Sequence, residues 1–196
     1  GYDVCVTNRQ TVPATAFLIV SEYPNRNSVA PPDQSYYIHD AVDQWPINKP
    51  VEPGSTFCVS MGPSGMPGEE AGTIRVLAAV FADGATEGED DWIARVVNRR
   101  KQVYRDLLEA LAILRDGLVE SVVPHALLQR FRSFQSQTSD LQSPGIPGHF
   151  ERMAAQKVRS TVIGNLEANI KPNQSPEEFA SAIKSYVNHL ESWLHE

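Results

Sequence analysis

Apolar positions along the chain change period near residue 88. Tyr2–Thr7 (YDVCVT) alternates in the manner of a strand, with Val4 and Val6 on one parity and Cys5 on the other. Ala14–Ser21 (ATAFLIVS) is apolar at both parities, with Phe17 and Ile19 on one side and Ala16, Leu18 and Val20 on the other. A strand of that kind must be covered on both faces. Val51-Glu52-Pro53-Gly54 reads as a turn with Pro followed by Gly, as in a type II turn. Ser55–Met61 (STFCVSM) alternates again, and Thr73–Ala82 (TIRVLAAVFA) is a second two-sided run. Ser35–Ile38 is an edge or short strand, and loops are expected at 24–35 and 62–72.

Beyond residue 88 the spacing becomes helical. Ile93, Val97, Arg100, Tyr104, Leu107, Leu111, Leu114 and Leu118 alternate by four and three, widened by Val96, Val103 and Ala110. Glu89, Asp90 and Asp91 suit the positive end of that helix, and Gly117 is a plausible stop. Arg100 falls within the apolar seam and is expected to meet an acid or lie at an interface. A second helix over about Val119–Gln137 must begin or kink at Pro124. After a loop at 138–148, a third helix covers about His149–Asn169, with Phe150, Met153, Val158, Ile163, Leu166 and Ile170 inward. Ser175-Pro176-Glu177-Glu178 is a capping-box start for a fourth helix, which buries Phe179, Ile183, Tyr186, Val187, Leu190 and Leu194.

The fold expected is therefore α+β. A small antiparallel β-sandwich of five to seven strands (1–88) packs against a bundle of about four helices (89–196). Its two-sided strands ask for cover by the second half, so that 83–91 is a rigid corner rather than a linker.

Charge sharpens the division. Residues 1–88 hold ten acids and four bases, and residues 89–196 hold fourteen acids and thirteen bases. A net charge of −7 argues against nucleic acid or an anionic membrane as partner, and no apolar run approaches a membrane span. The basic cluster Arg95, Arg99, Arg100, Lys101 and Arg105 spreads around the helix and reads as a solvated face with local ion pairs. Cys5 and Cys58 lack the spacing of a zinc site. They form either one disulfide, which suits an exported protein, or two free buried thiols. Gly1 in place of Met is consistent with a removed targeting segment.

Candidate chemistry is sparse. The acidic stretch Asp83–Asp91 supplies oxygen ligands, with Asp83, Glu87 and Asp90 as candidate metal ligands. The EF-hand pattern fails, because Ala85 and Ala94 stand where oxygen ligands are required, so a strand-to-helix turn is the favoured reading. Tyr36, Tyr37, Trp45 and His39 form the most site-like group of the first part, against an ordinary role in packing. There is no P-loop, GxGxxG, HExxH or GxSxG, so no cofactor is implied. The expected function is non-enzymatic binding or scaffolding outside the cytoplasm, with an unidentified protein or small ligand as partner. The alternative is a hydrolase-like enzyme of unfamiliar type, with His39, Asp40, Asp43 or Asp83 as ionisable groups.

The segments VTNRQTVPATAFLIV, VEPGS and AAVFADGATEGEDD together resemble a group of uncharacterised exported bacterial proteins. In that group an Ig-like strand set ends in a V-F-x-D-G segment and runs into a long helix. The resemblance covers about residues 4–115. It implies export and an Ig-like sandwich, and it carries no catalytic motif.

Overall fold

The computed structural model describes residues 2–23, 33–42, 49–61, 73–136, 146–169, 171 and 174–195. It is an α+β chain with two small antiparallel sheets and four helices among these residues. It divides into two compact units, Gly1–Val96 and Val97–Glu196.

In the first unit, β1 (Tyr2–Thr7) pairs with β4 (Thr56–Met61) as a two-stranded sheet. β2 (Ala14–Tyr23), β3 (Asp33–Asp40), β5 (Thr73–Phe81) and β6 (Thr86–Gly88) form the other, in the order β3-β2-β5-β6. β2 is central because its apolar side chains serve both faces: Ala16, Phe17, Leu18, Ile19 and Val20 are all buried. Phe17 and Ile19 join Val4, Val51, Met61 and Phe81 in one core, with Val6, Phe57 and Val59 packed against it. The inward parities of β1 and β4 therefore face one side of the larger sheet. A bulge in the β2–β5 ladder places Leu77 between the pairs Leu18–Ala78 and Ile19–Val76.

The turn at Glu52–Ser55 forms as its sequence requires. The Ser55 amide donates to the Glu52 carbonyl at 2.9 Å, and Gly54 takes φ 76°. Asn8 ties this turn to the rest. Its amide donates to Ser55 O, its carbonyl accepts from Gly54, and Nδ2 donates to the Val12 and Val51 carbonyls at 2.9 and 2.8 Å.

Two boundaries differ from the sequence reading. β3 begins at Asp33, so residues 33–35 belong to a strand. The expected corner at 83–91 is a hairpin: Phe81 exchanges hydrogen bonds with Ala85 and Gly84, β6 returns along β5, and α1 follows. Gly88 has φ 124°, and a Cβ there would lie 2.2 Å from the Leu77 carbonyl oxygen, so only glycine lets the chain leave the sheet here.

α1 (Asp90–Val119), α2 (Pro124–Ser136), α3 (Ile146–Asn169) and α4 (Pro176–His195) follow. α1 crosses the boundary between the units. Its stop is not Gly117, which lies inside the helix. Instead Ser121 takes φ 53°, Val122 N donates to Gly117 O, and Ser121 N donates to Leu118 O: a Schellman motif with serine in the glycine position. Pro124 begins α2, where its missing N–H costs nothing. α3 starts three residues earlier than expected. Val158, Ile163 and Leu166 are buried as expected, but Met153 is 50% exposed, and Ala154, Ala155 and Val162 are buried instead. α4 carries its reciprocal cap: Glu178 N donates to Ser175 Oγ at 3.2 Å, and Ser175 N donates to Glu178 Oε2 at 2.8 Å.

Candidate functional site

The alternation of β3 separates the residues that the sequence grouped together. Tyr37 and His39 face the core of the first unit. His39 stacks on Phe17 at 4.9 Å and lies 4.6 Å from Phe57, while Tyr37 lies 5.9 Å from Phe57. His39 is 2% exposed, and its Nε2 lies 3.0 Å from the Lys49 carbonyl. A carbonyl can only accept, so Nε2 carries the proton. Asp40 is 1% exposed and accepts from the Val42 amide at 3.1 Å. Burial pushes the Tyr37 hydroxyl above its usual range. His39 and Asp40 are buried in the interior, and Tyr37 is half-buried against it.

Tyr36 takes the opposite side of β3. It meets Trp92 at 5.2 Å, and the Arg95 guanidinium lies 4.0 Å over the Trp92 ring. Trp45 and Asp43 lie outside the described residues. The structure therefore does not bring Tyr36, Tyr37 and His39 to one surface.

The acidic stretch is occupied by local bonds. Asp83 Oδ1 accepts from the Ala85 amide at 3.0 Å, Gln10 donates to Glu87, and Asp90 opens α1. Among the described residues no group of three or more His, Cys, Asp or Glu is placed to hold a metal ion. Cys5 and Cys58 stand directly opposite on β1 and β4 and form a disulfide, with Cα atoms 4.1 Å apart. Both lie on the exposed side of their strands, so they are neither free nor buried.

The second unit holds the concave site. A pocket of about 360 Å³ lies among the end of α1, the link into α2, residues 174–175 and the first turns of α4. Gly117, Leu118, Val122, Val123, Pro124 and Leu127 supply one side, and Phe179, Ala180 and Ile183 the other. Ser121, Gln174, Ser175 and Glu177 also line it, and Glu177 is the one ionisable residue among the described liners. Gly117 matters here because a Cβ would come within 2.8 Å of Leu127 Cδ1, so α1 and α2 meet closely at the pocket floor.

Sequence spacing hid this site for a simple reason. Phe179 and Ile183 carry the same periodic signal whether they complete a core or line a hollow beside it. The length of the α1–α2 link, read together with the strong start at Ser175, was the available hint. A buried ion pair likewise leaves no mark in the apolar spacing. Arg159 on α3 donates to Asp106 on α1 through Nε (3.2 Å) and a terminal nitrogen (2.8 Å). Its other terminal nitrogen reaches the Phe134 carbonyl at 2.5 Å, and the guanidinium lies 4.0 Å over the Phe134 ring.

No protein-family model, curated protein or solved structure matches this chain.

Proposed function

We propose that this chain is an exported, non-enzymatic binding protein, an Ig-like sandwich followed by a helical unit that takes up a small apolar ligand. The pocket of about 360 Å³ carries the reading. It falls in the size range of small-molecule sites, is lined mostly by apolar side chains, and among the described residues brings no pair of ionisable groups together as acid–base chemistry requires. Extracytoplasmic placement is supported by the Cys5–Cys58 disulfide, since such bonds persist where thiols are not kept reduced. The resemblance of about residues 4–115 to uncharacterised exported bacterial proteins points the same way. The two facing sheets are the basis for the sandwich.

A neutral fluorescent probe, N-phenyl-1-naphthylamine, tests the pocket. Saturable one-to-one binding is expected, and it should be lost in Ala180→Phe, which fills the hollow, provided the variant keeps its helical circular dichroism. Equal binding by a folded Ala180→Phe would place the probe elsewhere and sink the reading.

A further inference from the structure

The pocket's polar groups say which apolar ligands it takes, and this step rests on the binding role proposed above. Three features set the local field. Glu177 is the only ionisable liner and has no ion pair among the described residues. The liners Gly117 and Leu118 belong to the last turn of α1, but their carbonyls already accept from Val122 N and Ser121 N, so this helix end adds little to the field. The α4 N-terminus would ordinarily invite an anion, but most of its first turn, all but the Glu177 N–H, is answered from within. Ser175 Oγ accepts from Glu178, Phe179 N donates to the Ser175 carbonyl, and Pro176 has no N–H to offer. The acids Glu177 and Glu178 offset its dipole further. No basic residue lines the pocket: Lys171, Arg130 and Lys184 are not among the liners, and Arg130 is held by Glu120 at 2.5 Å.

We infer that the pocket binds apolar molecules bearing an amine head, the tail against Leu127, Phe179 and Ile183 and the ammonium at Glu177, and that it discriminates against the matching carboxylates. Volume and apolar lining supply affinity, while the Glu177 carboxylate supplies the sign of the selection.

Displacement of N-phenyl-1-naphthylamine from the intact chain by decylamine, decanol and decanoate, each below its micelle concentration and at low salt, tests this. Decylamine should displace at concentrations roughly three- to fivefold lower than decanoate, the size expected of one exposed carboxylate. Glu177→Gln should shrink that ratio to within about twofold, and Glu177→Lys should reverse it. Decanoate competing as well as decylamine, or an unchanged ratio in Glu177→Gln, overturns the selectivity while leaving the pocket intact. Failure of the neutral probe to bind, or its equal binding to Ala180→Phe, removes the pocket reading and this one with it.

Discussion

Asp106 and Arg159 make the sharpest stability test in the helical unit. Asp106 is 1% exposed and Arg159 5%, so both charges are removed from water. Asp106 Oδ1 accepts both guanidinium bonds, and Asp106 Oδ2 is buried with no hydrogen-bond partner among the described residues. Half of the carboxylate is thus unsolvated and uncompensated, which sets the net value of the pair low. Asp106→Ala leaves a buried guanidinium with only the Phe134 carbonyl and ring, at a cost of about 3–5 kcal/mol. That is a large share of the roughly 5–15 kcal/mol that holds an ordinary domain. Arg159→Met should cost about as much, by stranding the carboxylate. The double variant Asp106→Leu/Arg159→Met removes both charges and fills the space with apolar atoms, so it should lie within about 1 kcal/mol of the parent or above it. Urea denaturation followed by circular dichroism at 222 nm measures all four proteins, with comparable slopes required. Single variants within 1 kcal/mol of the parent, or a double variant as unstable as the sum of the singles, would refute the reasoning.

Three further outcomes are expected. Ser121→Gly relieves the left-handed backbone at the end of α1 and should raise helical-unit stability by about 1 kcal/mol in the same titration; a loss would contradict the Schellman assignment. Burial raises the Tyr186 pKa above 10.0, against a smaller lowering by its hydrogen bond from Asn165, so its contribution is full below pH 10 and fades as pH rises through the folded value. Tyr186→Phe should therefore flatten the alkaline fall in helical stability. Cys5→Ala/Cys58→Ala opens a loop closed across 53 residues and should cost about 4 kcal/mol by chain entropy, read as a lower thermal midpoint of the first unit; an unchanged midpoint would show the bond to be idle.

Local chemistry was the most legible layer of the sequence. Pro53-Gly54, Pro124 and the Ser175/Glu178 box each act through one or two residues whose backbone limits admit few alternatives. The cysteines were legible as residues on the outward parity of their strands, because alternation assigns the face; their register was not. What failed was the assumption that buried means apolar. The seam of α1 is buried at Leu107, Leu111 and Leu114, and at Val96, Val103 and Ala110 beside them, as the spacing predicts, but it takes in Arg99 and Asp106 in place of Tyr104, which is 50% exposed. Those two members are charged and drop out of an apolar count. Ser121 was illegible for a different reason: a non-glycine residue with positive φ leaves no compositional mark. Tyr36 and Tyr37 looked like one surface only because they are adjacent, and in a strand neighbours face apart.

The pairing of β2 has a consequence in time. β3 reaches β2 after a short connection, but β5 lies some fifty residues further along the chain. During synthesis the most apolar strand of the molecule must wait, one edge open, until residues 73–81 arrive. An open apolar edge is what other chains add to, so β2 is where a stalled or truncated product would aggregate. Fragments ending before residue 73 should therefore precipitate, and fragments ending after Gly88 should remain in solution.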